Sequence, residues 1–207
     1  MNDVDIKPPT TAGGRIIEDP PIARFLFSDV RMAWVWLPVR LWLGYDWITH
    51  GWEKLRNPAW MQGGEALKGF WTNAVQIPAE GRPLIAFDWY RNFIQFLLDT
   101  ESYTWFAKLV AVGETAIGIA LIVGAFVGIA AFFGALLNFN FIMAGSASTN
   151  GLLLVAAFLL VLAWKIAGYI GADYFLLRWL GVPWQHRGQQ GERPPRYDPA
   201  LESHGDD

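Results

Sequence analysis

Hydrophobic positions gather into four long runs, separated by one long patterned stretch and two short turns. The runs cover roughly residues 33–52, 105–126, 127–145 and 151–180. A helix crossing a bilayer core needs about 20 apolar residues, and each run supplies about that length or more. Ser28 and Asp29 stand just ahead of the first run, where a side-chain oxygen can cap a helix. The second and third runs allow only a tight turn near 124–128. The third and fourth are joined by "SASTN", which is polar and uncharged.

The stretch at 55–104 is too long for a plain connection. Ala66, Leu67, Phe70, Trp71, Ala74 and Val75 recur at helical spacing, and so do Phe87, Tyr90, Ile94, Leu97 and Leu98. Two short amphipathic helices are predicted there, with Pro78 and Pro83 breaking the chain between them. Their Trp, Tyr and Phe content suits a membrane interface. Trp71, Trp89 and Tyr90 are candidates for a lid over a lipophilic site. The same helices could instead simply close the bundle, or dock an external partner.

This pattern predicts an all-α integral membrane protein: a four-helix bundle with two short interfacial helices in the outer loop between spans one and two. The expected division is a disordered tail at 1–28, a membrane domain at 29–184 with its external loop at 55–104, and a disordered tail at 185–207. Lys7, Arg15, Arg24 and Arg31 lie toward one end, and Arg178, Arg187, Arg193 and Arg196 toward the other. The positive-inside rule puts both ends in the cytoplasm of a multi-pass plasma-membrane protein.

Composition adds exclusions. The chain is 53% hydrophobic with 12 Trp and a net charge of -3, so lipid is an expected partner and nucleic acid is not. It has no cysteine, which removes disulfides, iron–sulfur ligation and thiolate chemistry. Of its three histidines only His50 falls in or near a span, so one chain cannot build a bis-histidine haem. No Walker loop, H-E-x-x-H or G-x-S-x-G is present. No metal, haem or iron–sulfur cofactor is expected.

The candidate chemistry lies in the charges within the spans, which are costly there and need a partner or a cavity. Trp36, Arg40, Gly44, Trp47, Gly51 and Lys54 share one face of the first helix, and the glycines admit a close neighbour. Counting depth from the span ends puts Arg40 and Glu114 near mid-membrane on neighbouring antiparallel helices. They are expected to pair, with Asn138 or Asn140 nearby, Asn138 preferred. Arg40, Trp47, Glu114, Asn138 and Asn140 then define a polar pocket, and Arg40 and Glu114 are its catalytic candidates. The alternative is that these groups are polar glue fixing helix register. Asp46 and His50 read as interfacial, Lys165 as snorkelling, and Asp173 and Arg178 as cytoplasmic surface.

With these residues placed, the chain resembles the DoxX family of small four-helix membrane proteins. It is most similar to the branch related to DoxD, a membrane subunit of thiosulfate:quinone oxidoreductase. The resemblance rests on "RLWLGYDWITHGWEKLRNPAW" at 40–60, "FDWYRNFIQFLL" at 87–98, "LVAVGETAIGIALIVG" at 109–124 and "LLNFNFIMAG" at 136–145. It implies a membrane subunit that passes electrons from thiosulfate or a similar reduced sulfur compound to quinone, together with a partner subunit. Whether the chain is itself catalytic stays open. A second reading is a non-catalytic scaffold that recruits a peripheral redox enzyme through the external loop. A third is a small transporter, disfavoured because no inverted repeat is visible. A homo-oligomer is compatible with each reading.

Overall fold

The computed structural model describes residues 19–180, so most of the two expected tails lies outside the described residues. The described part is helical, with no strand. Pro21–Ser28 forms α1, although composition had assigned these residues to a disordered tail. Pro21 suits a first helical turn, where its missing N–H is no loss. The Trp36 indole donates to the Leu26 carbonyl at 2.8 Å, and the Phe27 ring stacks on it. Asp29 accepts from the Arg31 N–H at 2.9 Å and starts a single 3-10 turn, Val30–Met32, leading into α2, Ala33–Arg56.

At "RNPAW" α2 stops. A residue preceding proline is pushed out of the helical region, and Asn57 turns that exit into a new start. Its side chain accepts from the Ala59 N–H at 2.9 Å, and Pro58 opens the one-turn α3, Pro58–Met61. The two amphipathic helices of the long loop follow as α4, Glu65–Ala74, and α5, Asp88–Asp99. Next come α6, Tyr103–Val123, α7, Val127–Met143, and α8, Asn150–Leu162. Among the described residues only α6 is long and apolar enough to cross a membrane by length and composition. The fourth hydrophobic run does not form one helix to 180. It breaks after Leu162 into turns over 163–172 and resumes as α9, Asp173–Trp179.

Two apolar cores stack along the molecule. One gathers Trp36, Leu43, Trp47, Ile117, Leu121 and Leu160 from α2, α6 and α8, with alanines of α7. The other joins the inner faces of α4 and α5, including Leu67, Trp71, Tyr90 and Ile94, to Tyr103 and Ala107 of α6. The antiparallel α2–α6 contact depends on small residues. A side chain at Gly51 would collide with the Thr115 backbone at 2.5 Å, and one at Gly118 with the Ile48 backbone at 2.5 Å. That interlock fixes the register. Glu114 lies level with Gly51, and Arg40 level with the turn at Gly124.

Candidate functional site

The expected Arg40–Glu114 pair does not form. The two residues sit about 16 Å apart along the helix axes at 1.5 Å per residue, because the glycine interlock sets the register, and depth counted from the span ends does not. Arg40 is 2% exposed and donates to the carbonyls of Ala167 at 3.1 Å and Ile170 at 2.9 Å. Those carbonyls belong to the turns beyond α8, where the helical ladder no longer supplies donors. Asp173 lies in the same region. Read from sequence as a surface group, it is 1% exposed and accepts from the Phe126 and Val127 N–H groups at 2.6 and 2.9 Å. It caps the start of α7, where an anion also meets the positive end of the helix dipole. Arg40 and Asp173 together tie the last described segment to the α6–α7 turn.

Glu114 pairs instead with Lys54, in the last turn of α2. The Lys54 Nζ stands 2.5 Å from Glu114 Oε2. The ammonium also lies 5.0 Å from the centre of the Trp60 ring and 5.5 Å from that of Phe141, within cation–π range. The "KLRNPAW" segment thus has a direct structural use: the Asn57–Pro58 exit swings Trp60 back over the lysine.

A cavity of about 320 Å³ opens beside this pair, lined among others by Asp46, Trp47, His50, Lys54, Glu114 and Asn138. Its rim includes Ser146, Ser148, Thr149 and Asn150, from the polar turn ahead of α8. Four buried polar atoms on its lining residues have no hydrogen-bond partner: Trp47 Nε1, Glu114 Oε1, and both Nδ2 and Oδ1 of Asn138. Buried polar groups are nearly always bonded, and each one left unmade costs about 1–3 kcal/mol. Asn138 is 0% exposed with neither end of its amide bonded. The apolar core alone gives no reason to retain such a residue.

His50 and Asp46 also reach this cavity, although they read as interfacial. His50 Nδ1 lies 2.8 Å from the Asp46 carbonyl. A carbonyl only accepts, so Nδ1 carries the proton and, in the neutral ring, Nε2 is the acceptor. The imidazole is more than half exposed and marks the mouth.

A second, apolar groove of about 550 Å³ runs between the α4–α5 layer and α6–α7. Phe70 and Phe141 line both spaces. Trp71 and Tyr90 are buried against this groove while Trp89 is 63% exposed, so the three proposed lid residues divide between underside and outer surface. The Tyr90 hydroxyl donates to Asn140 Oδ1 at 3.1 Å, tying α5 to α7. Burial pushes that hydroxyl's pKa up to about 12, so it stays protonated. Asn140 therefore belongs to the groove, and Asn138 to the polar cavity.

The structure brings Trp47, Glu114 and Asn138 together, as the sequence suggested, and leaves Arg40 and Asn140 outside. Lys54 was missed as a site residue. Its signal is present, since it shares the Trp36–Gly51 face, but depth counted from the span ends favours Arg40 as the partner of Glu114. Among the described residues no cluster of His, Asp and Glu could hold a metal ion.

A family model described as DoxX matches residues 35–147, more than half of the 207-residue chain. No curated protein and no solved structure matches the chain.

Proposed function

The chain belongs to the DoxX family, and on that footing we propose that it is a membrane subunit that binds a quinone headgroup in the polar cavity beside Lys54 and Glu114. The family generally comprises membrane proteins associated with quinone-linked oxidoreductases. The observation that carries the reading is the set of four unbonded buried polar atoms on one cavity. The set contains both donors and acceptors. Trp47 Nε1, Asn138 Nδ2 and the free N–H bonds of Lys54 suit a carbonyl oxygen. Glu114 Oε1 and Asn138 Oδ1 suit a hydroxyl. A ligand whose ring oxygens alternate between those two forms uses both kinds, whereas a simple anion leaves the acceptors without use.

A bound quinone supplies the two-electron, two-proton chemistry. The chain's part is to orient the ring and manage protons. Glu114 Oε1 can take a proton, Lys54 holds the carboxylate in place, and His50 stands at the mouth where protons exchange with water. Electrons come from a partner subunit or peripheral redox enzyme. Similarity to the DoxD-like branch favours thiosulfate or another reduced sulfur compound as their source.

In this reading α2, α6, α7 and α8 cross the bilayer, with the α4–α5 loop outside and both tails cytoplasmic. Large apolar side chains on the outward faces support it: Leu109, Val112, Ile129, Phe132, Val155 and Phe158 are all about half exposed. Lipid explains such faces better than water does. At 13 residues α8 reaches only about 20 Å, so the turns at 163–172 complete the crossing. Non-helical backbone at membrane depth requires protein partners, and Arg40 is one.

The test is to purify the full chain from its native membrane and assay the lipid extract for quinone. Quinone should accompany the wild type and be lost from Asn138→Leu. Wild-type protein that never carries or takes up quinone would defeat the proposal.

A further inference from the structure

The quinone reading assigns no purpose to the apolar groove, or to the glycine next to Glu114. Of the three glycines in or ending α6, two are tightly packed and one is not. Gly118 is pressed against the Ile48 backbone, and Gly124 against the Arg40 guanidinium. A Cβ added at Gly113 would meet nothing within 4 Å, and Gly113 lines the groove. Helix packing therefore does not require glycine there. In mid-helix, glycine is a poorer helix former than alanine. What it provides is open space, one residue from the carboxylate that lines the polar cavity.

We propose that the groove beneath α4 and α5 holds the isoprenoid tail of the quinone whose ring occupies the polar cavity, and that Gly113 keeps that channel wide enough for the tail. This rests on the quinone reading. Phe70 and Phe141 line both spaces, so the two adjoin there and a chain attached to a ring beside Glu114 has the groove as its apolar neighbour. The groove is almost wholly apolar, and its volume of about 550 Å³ is in the usual range for ligand pockets, roughly 300–1,000 Å³. A phospholipid suits the pair of spaces less well, because the Lys54 charge is already matched by Glu114 and the acceptors Glu114 Oε1 and Asn138 Oδ1 would be left facing its phosphate. The α4–α5 layer is then the roof of a tail channel, and Tyr90 pins it through Asn140.

The experiment uses the full chain in lipid nanodiscs and reads quenching of tryptophan fluorescence. The probes are 2,3-dimethoxy-5-methyl-1,4-benzoquinone and 2-methyl-1,4-naphthoquinone, each bare and with a two-isoprene tail. Tailed probes partition more strongly into lipid, but this is the same for every variant and cancels in the comparison. Gly113→Leu should lower affinity for the tailed form at least about tenfold and leave the bare ring within about twofold, since buried apolar length is what it removes. Ala116→Phe, on the same wall, should act the same way. Leucine is a better helix former than glycine, so helix content and melting temperature should hold.

Unchanged tailed-quinone affinity in both variants would overturn the proposal and leave the groove to a lipid acyl chain. Equal loss of bare and tailed probes would overturn it too, by showing that Gly113 supports the ring site. If no probe binds wild type, the quinone reading itself falls, and the tail channel with it.

Discussion

Two charged groups, Arg40 and Lys54, project from one face of α2, about 20 Å apart along its axis, and they are treated in opposite ways. At the α9 end, Arg40 donates to two carbonyls and Asp173 accepts from two N–H groups, all within the chain. At the α4–α5 end, Lys54 and Glu114 bond each other and border a cavity on whose lining four buried polar atoms are unbonded. The first arrangement leaves only the Arg40 Nε unbonded and reads as structure. The second is open and reads as a binding site. Burial alone does not separate them, since Arg40 is 2% and Glu114 1% exposed. What separates them is how much buried hydrogen-bonding capacity is left over: the Arg40 Nε alone at one end, four atoms facing one cavity at the other.

That contrast can be broken most forcefully at Arg40. Arg40→Ala leaves two carbonyls and the Asp173 charge without their cation, and should destabilise by about 3–5 kcal/mol in thermal or denaturant unfolding. The protein that remains folded should bind quinone as the wild type does. Loss of binding without loss of stability would reverse the two roles.

Lys54→Met should cost less, about 1–3 kcal/mol, because the lysine is partly exposed and the site can admit water. Quinone affinity should fall at least tenfold. The double replacement Lys54→Met with Glu114→Leu should recover stability while binding stays lost, which a titration beside a melting curve would show.

Asn138→Leu sharpens the contrast further. Replacing an unbonded buried amide by an apolar group of similar size should leave stability unchanged or raise it by up to about 1 kcal/mol, yet abolish quinone retention. A large loss of stability would mean that Asn138 is structural. The smallest effect is expected at the mouth: His50→Gln should shift stability by less than about 0.5 kcal/mol and slow only quinone-dependent turnover.

Much of the fold was legible, for identifiable reasons. α4 and α5 followed from apolar positions at helical spacing bounded by prolines, and the buried face of α2 from the spacing of Trp36, Arg40, Gly44, Trp47 and Gly51. The break in α8 was not legible, because "LAWKIAGYIGADYF" stays apolar through the turns and only its glycines hint at a stop. The charge pairing was misread for a sharper reason. Hydrophobic run length gives depth to within a few residues, whereas partner choice depends on register, and register here is set by steric contact at Gly51 and Gly118. Glycine interlocks name their faces in a sequence but not their opposite numbers. Hence Arg40 was assigned the nearest opposite charge on paper, and Asp173, its neighbour in the fold, was placed at the surface.

The Arg40 contacts also bear on how the molecule is made. Its acceptor at Ala167 lies 127 residues further along the chain. At roughly 5–20 residues per second, a ribosome needs on the order of ten seconds to deliver it. During that interval the first long helix exists with its guanidinium unclaimed, and α7 with its start uncapped by Asp173. The native packing of α2 against the α6–α7 turn is therefore completed late in synthesis. A nascent chain truncated before 167 should remain loosely associated and open to proteolysis at that turn.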